Sequence, residues 1–258
     1  MLSDTGRVRV RNEDQVYCDA SRGIALLADG MGGHAGGALA SRLAVAAWLA
    51  EVEDRPPGTI DETCMRAAVA AANQVVFDTA CQDVLLRSMG TTLVAVCFRT
   101  DGQMIACHVG DSRLYRLRGE SLECLTRDHS VLREQCDAGM IEAESDGAPA
   151  LRGLLTRAVG VDVQVQPDLI VTQVCAEDVF LLCSDGLTDM LPDREIFHVL
   201  DTLGANPRLA AEHLVDLANG NVVFTAVQRG RLGHALHRVF GGRGGDGKQV
   251  AWRILILH

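Results

Sequence analysis

The chain has 258 residues, 48% of them hydrophobic and 22% charged, with a formal net charge of −10. No apolar run approaches the roughly 18 residues that a membrane-spanning helix needs, and an acidic chain is repelled by nucleic acid and by anionic membrane surfaces, so neither is expected as a partner. The start, Met1-Leu2-Ser3-Asp4-Thr5-Gly6-Arg7, has no leader-like apolar stretch, which points to one globular domain in the cytoplasm. Nine cysteines lie mostly inside apolar runs without any C-x-x-C pair, as reduced core residues do. The eight histidines show neither H-E-x-x-H nor a paired spacing with those cysteines, so no zinc site is expected.

In chain order, Gly6-Arg7-Val8-Arg9-Val10-Arg11-Asn12-Glu13-Asp14 alternates at period two, which puts three arginines on one face of a strand ahead of two adjacent acids. A strand face with three cations wants an anion, and the planar fork of arginine matches phosphate; a solvated, charge-protected edge strand is the plainer reading. The stretch Ile24-Ala25-Leu26-Leu27-Ala28-Asp29-Gly30-Met31-Gly32-Gly33-His34-Ala35-Gly36-Gly37 organises the rest. Its apolar start reads as a strand buried on both faces. A carboxylate then appears at the strand's mouth among glycines, whose bare backbone lets carbonyl oxygens come as close to a hard cation as Asp29 does. A Gly-rich turn capped by an Asp is the alternative for this stretch taken alone.

A helix follows over 36–51 with Leu39, Leu43, Ala46, Ala47 and Ala50 on its apolar face. A second starts at Thr59-Ile60-Asp61-Glu62, which has capping-box spacing, and runs through Met65, Val69, Ala72 and Val76. Then the period changes. Strands are expected over 91–98 and 103–109, joined by a turn at Thr100-Asp101-Gly102, and over 113–118 and 122–126. Gly110-Asp111-Ser112-Arg113 places a second acid beside a strand end, and Asp128-His129-Ser130 caps a helix over 131–138. Residues 139–157 are small and polar, as in a surface flap that selects substrate. Strands resume over 161–171 and 179–183, the latter entering Ser184-Asp185-Gly186-Leu187-Thr188-Asp189, which repeats the strand, Asp, Gly pattern of Asp29. If the two strands face one another, like charges at about 4 Å repel by on the order of 4 kcal/mol at an effective dielectric near 20, so an ion or a proton belongs between them.

Gly6-x-Val8-Arg9-x-x-Asn12-Glu13-Asp14, Ala28-Asp29-Gly30-Met31-Gly32-Gly33-His34-x-Gly36-Gly37, Gly90-Thr91-Thr92, Gly110-Asp111-Ser112-Arg113, Asp128-His129-Ser130, Leu154-Leu155-Thr156-Arg157-Ala158-Val159-Gly160 and Ser184-Asp185-Gly186-Leu187-Thr188-Asp189 together resemble the metal-dependent protein phosphatases of the protein phosphatase 2C family, in its bacterial form. The resemblance implies an α+β fold of two antiparallel β-sheets packed as a sandwich with flanking α-helices, in four layers αββα. It implies hydrolysis of phosphoserine and phosphothreonine in phosphoproteins by a water activated between two Mn²⁺ or Mg²⁺ ions, with a third, weaker site. Asp29 would bridge the two ions and the Gly30 carbonyl would complete a shell. Asp185 would hold one ion, Glu13 and Asp14 would orient bound waters, and Asp111 would serve the third site. Arg9 matches the family's phosphate-binding arginine, and His34 the position proposed to protonate the leaving oxygen. Partners would be a serine/threonine kinase and its substrates, met by a monomer.

Two regions depart from the family pattern. The family introduces its last strand with Gly-x-Asp-Asn, whose Asp is a metal ligand. Here Asn219-Gly220-Asn221-Val222-Val223-Phe224-Thr225-Ala226-Val227 has a strand but no Asp, whereas Gly244-Gly245-Asp246-Gly247-Lys248-Gln249-Val250 has an Asp but a poor sequel. The first reading is preferred, giving a phosphatase-like domain over 1–228, an atypical tail over 229–258, and Asp246 as the substitute ligand if the second holds. The family also usually has a strand ahead of the first motif, where here only Met1 and Leu2 stand. A missing ligand would leave a slow enzyme that needs millimolar Mn²⁺, or a pseudophosphatase that only binds phosphoproteins. Other classes fit less well. Gly30-Met31-Gly32-Gly33-His34-Ala35 satisfies a dinucleotide fingerprint, but Asp29 would crowd a pyrophosphate and the strands come as hairpins. A covalent aspartyl phosphatase would carry a second Asp at position 31, which is Met.

Overall fold

The computed structural model describes residues 12–32, 36–142, 148–220, 240–243 and 249–257. In chain order they form β1 (Asp14–Asp19), β2 (Ile24–Met31), α1 (Gly36–Val52), α2 (Glu62–Gln82), β3 (Gly90–Thr91), β4 (Leu93–Phe98), β5 (Gln103–Val109), β6 (Arg113–Arg118), β7 (Ser121–Cys124), α3 (Val131–Asp137), β8 (Asp168–Gln173), β9 (Val179–Cys183), α4 (Asp185–Thr188), α5 (Asp193–Leu203), α6 (Pro207–Ala218), β10 (Phe240–Arg243) and β11 (Gln249–Leu257).

One sheet has the order β1-β2-β4-β5-β8, with β3 pairing β2; the other runs β10-β11-β9-β6-β7. The described pairings are antiparallel except β11 with β9, which run parallel because the chain returns through α4, α5 and α6, the long crossover that a parallel pair requires.

The period of two along each strand distributes side chains to three apolar cores. Ile24, Leu26 and Ala28 of β2 pack with Ala44, Trp48, Met65 and Val69 of α1 and α2. Ala25 and Leu27 point the other way and meet Val94, Val96, Leu114, Phe180, Leu182 and Ile256 between the two sheets. Val179, Leu181 and Cys183 of β9 pack outward against Ile196, Val199, Leu200 and Leu214 of α5 and α6. The layers are therefore helices, sheet, sheet, helices, as expected for the αββα architecture. Between the sheets the interior ends in polar residues, and the odd parity that buries Ala25 and Leu27 there carries on to Asp29 at the sandwich mouth.

Four local expectations change. The buried stripe of α1 is Ala40, Ser41, Ala44, Val45, Trp48 and Val52, while Ala46 and Ala50 are exposed; a helix with alanine on every side gives no usable periodicity, and Trp48 decides its orientation. The N-cap of α2 is Asp61, whose carboxylate accepts from the Cys64 N–H at 2.8 Å, and not Thr59, which closes a turn on the Pro56 carbonyl. The strand expected over 161–171 begins only at Asp168: Gly160 takes a positive φ of 87°, the Asn73 amide donates to the Asp162 and Val163 carbonyls, and Val161 and Val163 point to solvent. Helix α5 was not anticipated. The strand expected over 222–227 lies outside the described residues; the strand that extends the second sheet next to β9 is β11.

Candidate active site

Asp14 and Asp29 are direct partners in the antiparallel register of β1 and β2, so their side chains share one face of the sheet. Like charges directly opposite one another destabilise a sheet, and here both stand at the sandwich mouth. The Glu13 carbonyl accepts from the Gly30 N–H at 3.2 Å and from the Ser41 hydroxyl at 2.6 Å, which locks the loop before β1 against both β2 and α1. This crossing leaves no room for side chains. A methyl group on Gly30 would strike the Gly37 and Glu13 carbonyls, and one on Gly37 would lie 2.8 Å from Glu13 Oε2, so the carboxylate of Glu13 sits on the glycine pair.

The backbone of Asp29 is clamped from β3 and β4. The Thr91 hydroxyl donates to the Asp29 carbonyl at 2.8 Å, the Thr92 N–H donates to the same carbonyl at 2.9 Å, and the Asp29 N–H donates to Thr92 Oγ1 at 2.9 Å. Thr92 Oγ1 in turn lies 2.7 Å from Ser112 Oγ, next in sequence to Asp111. Between them, Gly110 takes a φ of 102° and passes so close to Thr92 that a Cβ would meet its side chain at 2.6 Å. A line of hydroxyls thus joins the Asp29 strand end of one sheet to the Asp111 turn at the head of β6 in the other.

Asp111 faces further acids. Desolvation pushes its carboxyl up to about 7, helped by the negative charges of Asp185 and Asp128. Asp189 is raised too, by burial first and by Asp185 second. Arg113 meets this charge: its Nη2 lies 2.7 Å from Asp128 Oδ2 and its Nε 2.9 Å from Asp128 Oδ1, a two-pronged pairing. Its third arm donates to the Tyr115 hydroxyl at 3.0 Å, and that hydroxyl donates to Asp193 in the first turn of α5 at 2.9 Å. Asp185 itself opens α4, directly after β9 and its cap Ser184.

Of the residues singled out in the sequence, Glu13, Asp14, Asp29 and Gly30 come together at the β1–β2 mouth, and Asp111 and Asp185 come together within electrostatic reach. Arg9, His34 and Asp246 lie outside the described residues. Sequence reasoning passed over Thr92, Asp128 and Asp189 as site residues. Asp189 carried a signal, since it lies one helical turn after Asp185 and shares its face; Asp128 and Thr92 act through contacts that only the fold creates.

A family model described as Protein phosphatase 2C matches residues 7–217. The chain belongs to the protein phosphatase 2C family. Among curated phosphatases it is 39% identical over 218 residues to the serine/threonine protein phosphatase PstP of Mycobacterium tuberculosis strain H37Rv, an alignment covering 84% of this chain and 41% of PstP. The chain therefore spans about two fifths of the length of that relative, 41%. It is 37% identical over 205 residues to the serine/threonine phosphatase stp of Listeria monocytogenes, covering 77% of this chain and 81% of stp. The crystal structure of M. tuberculosis PstP superposes with a TM-score of 0.75 at 38% identity, covering 84% of this chain and 90% of that one. A structure of the PstP catalytic domain described as a complex with two manganese ions superposes at 0.73 with 37% identity, covering 84% and 89%.

A protein phosphatase 2C site for Mn²⁺ or Mg²⁺ is consistent with what these residues offer. The donors are all oxygens, from carboxylates and the backbone, as hard cations prefer. Burial first, and the charges of Asp185 and Asp128 second, disfavour the ionised Asp111 carboxyl, and a divalent cation bound there would relieve that penalty. The glycine crossing at Gly30 and Gly37 keeps side-chain bulk away from the Gly30 carbonyl.

Proposed function

We propose that this chain is a metal-dependent protein phosphatase that hydrolyses phosphoserine and phosphothreonine monoesters. The observation that supports the reading is a pair of carboxylate groupings from distant parts of the sequence, Asp14 opposite Asp29 on one sheet and Asp111 within electrostatic reach of Asp185 on the other, joined by the Thr92–Ser112 contact. These residues would hold divalent cations, whose chemistry there would be Lewis-acid activation of water and neutralisation of phosphoryl charge.

The chain's own residues have distinct tasks. Asp29 and Asp185, with the Gly30 carbonyl, would hold the divalent ions, and Glu13 and Asp14 would orient solvent. Asp111 would serve a third site, and Asp246 is the candidate for the remaining anionic ligand. The Thr91 and Thr92 bonds hold the Asp29 peptide, so its carboxylate needs little reorganisation on loading. Arg9 binds the phosphoryl oxygens, and His34 gives its proton to the departing serine or threonine oxygen. Substrates are phosphoproteins made by a serine/threonine kinase, met by a monomer in the cytoplasm. All nine cysteines are free, which suits a reducing compartment. Among the described residues no helix is long and apolar enough to cross a membrane. The binding-only alternative draws no support from relatives in Mycobacterium, Listeria and Streptococcus, all of which carry phosphatase names.

The deciding assay is p-nitrophenyl phosphate hydrolysis with and without Mn²⁺, for the native chain and Asp185→Asn. Metal-dependent turnover that the substitution abolishes supports the enzyme. Equal background rates in both would leave only binding.

A further inference from the structure

The buried His108 and His129 and the partly exposed Asp168 form a group outside the acid cluster, with a candidate ligand atom from each lying within 4.8 Å of the others. It is not a metal centre. The two imidazoles stack with centroids 4.5 Å apart and planes inclined by only 21°, so their in-plane lone pairs run side by side and do not converge on an ion about 2 Å from each nitrogen. The hydrogen bonds assign both rings another task. His129 Nδ1 accepts from the Gly110 N–H at 3.2 Å, which leaves the proton of the neutral ring on Nε2, and Nε2 lies 3.3 Å from Asp168 Oδ2. The His108 Nε2–H donates to the Arg127 carbonyl at 2.9 Å, fixing the segment that leads into Asp128 and His129.

The backbone repeats the link. The His129 N–H donates to the Gly110 carbonyl at 2.9 Å, so this one residue holds both backbone polar groups of Gly110, one in each of the peptide units that flank its Cα. Gly110 is the left-handed residue immediately before Asp111. The opposite end of the relay reaches the base of the flap. Asp168 Oδ1 accepts from Arg157 Nη1 at 2.8 Å, and the His129 carbonyl accepts from the Thr156 N–H at 2.9 Å.

We infer that His129 is a positioning residue for Asp111: the Gly110 N–H donating to Nδ1 leaves the ring proton on Nε2, which faces the Arg157-held Asp168, and the Nδ1 and N–H contacts fix the backbone of Gly110 and aim the next carboxylate into the acid cluster. This is the logic by which an outer carboxylate orients a histidine toward a metal, with a peptide N–H in the place of the ion. The inference rests on the phosphatase reading only in taking Asp111 as an ion ligand. It also makes the flap base and the Asp111 turn a single mechanical unit, because Arg157 and Thr156 bear on the residue that holds Gly110.

Two near-isosteric substitutions separate the parts. His129→Asn places an amide oxygen where Nδ1 stands and keeps the acceptor for Gly110; His129→Gln reaches toward Asp168 and loses that acceptor. Mn²⁺ binding to native chain, both variants and Asp111→Asn is followed by electron paramagnetic resonance of free Mn²⁺, with melting temperature as a check on folding. The expected result is that His129→Gln weakens the last ion bound by tenfold or more, as Asp111→Asn does, while His129→Asn stays within about threefold of native. Unchanged Mn²⁺ affinity in His129→Gln, or equal losses in both variants, would overturn the inference, since a merely structural histidine would lower melting temperature in both and leave ion affinity alone. The titration decides this whether or not turnover is seen. Absence of Mn²⁺-dependent hydrolysis by the native chain would instead overturn the phosphatase reading by itself.

Discussion

The hydroxyl oxygens of Thr92 and Ser112 lie 2.7 Å apart where the two sheets meet, both almost fully buried, and they link the Asp29 strand end to the Asp111 turn. Thr92 Oγ1 also accepts the Asp29 N–H. Thr92→Val keeps shape and removes that acceptor, leaving a buried N–H unpaired at a cost of about 2 kcal/mol, or about 5 °C in melting temperature. Ser112→Ala removes only one end of the pair and should cost about 1 kcal/mol. Calorimetry of both, beside Mn²⁺-dependent turnover, checks the ranking: Thr92→Val loses more on each scale, and an equal effect of the two would refute the clamp on Asp29.

The Gly30 position admits no side chain, because its Cβ would enter the space of the Gly37 and Glu13 carbonyls, which are backbone and cannot swing aside. Gly30→Ala is expected to destabilise by about 3 kcal/mol or more, the upper range for overpacking, and to lose Mn²⁺-dependent turnover. Wild-type-like melting of this variant would show that the crossing of β2, α1 and the Glu13 loop is looser than described.

The strands β2, β4, β5 and β9 were legible because each is an apolar run buried on both faces, and in such runs burial alone dictates structure. Alternation misled at Val161-Asp162-Val163, where the period of two reflects a loop with valines in solvent, pinned by Asn73 and ended by Pro167. Helix α5 did carry a signal, since Ile196, Val199, Leu200 and Leu203 stand at i, i+3, i+4 and i+7 and pack inward; what it lacked was a start signal, because Pro192 supplies no side-chain cap. At the site, Asp29 and Asp185 announced themselves as acids at the ends of apolar strands. Asp128, Thr92 and His129 could not, since their meaning lies in partners 15, 63 and 19 positions away that only the paired sheets bring near.

Arg113 holds Asp128 by a two-pronged pairing and Tyr115 by its remaining arm, so it needs the planar guanidinium and not only a positive charge. Arg113→Lys should cost about 2 kcal/mol despite retaining charge, because the half-buried Asp128 loses one of its two bonds and the buried Tyr115 hydroxyl loses its donor. Tyr115→Phe, which drops the link to Asp193 and the acceptor for one arm of Arg113 but keeps the two-pronged pairing with Asp128, should cost about 1 kcal/mol. Chemical denaturation resolves the two, and an Arg113→Lys chain as stable as native would show that charge alone suffices.

His129 is held well below its ordinary range, at about 4, by burial first and by the neighbouring His108 second, against the pull of Asp168. His108 is lowered as well, chiefly by burial. Between about 4 and the ordinary 6.5 the unfolded chain takes up a proton at His129 that the folded chain refuses. Folding stability is therefore complete above pH 6.5 and declines as pH falls toward 4, by about 2 kcal/mol for His129 once its contact with the partly exposed Asp168 is allowed for. His129→Asn should flatten the pH dependence of urea unfolding across this window. A native-like slope in the variant would assign the acid sensitivity to other groups.

Asp111 has the opposite sign. Its carboxyl is raised from 3.8 to about 7, so the ion-free folded chain holds a proton there that the unfolded chain has released, and stability falls as pH rises through that interval. The full shift corresponds to about 4 kcal/mol, which residual solvent screening at this partly buried residue reduces to about 1–2 kcal/mol. Asp111→Asn removes the ionisation while keeping shape. Without ions the variant should be more stable than native at pH 8 and equal to it at pH 4, and saturating Mn²⁺ should reverse the order at pH 8, because only the native chain then gains an anionic ligand for the cation. Thermal melts at the two pH values, with EDTA and with Mn²⁺, test all three comparisons; an Asn variant less stable than native at pH 8 in EDTA would mean that the acids of this mouth are compensated within the protein and leave no charge for an ion to neutralise.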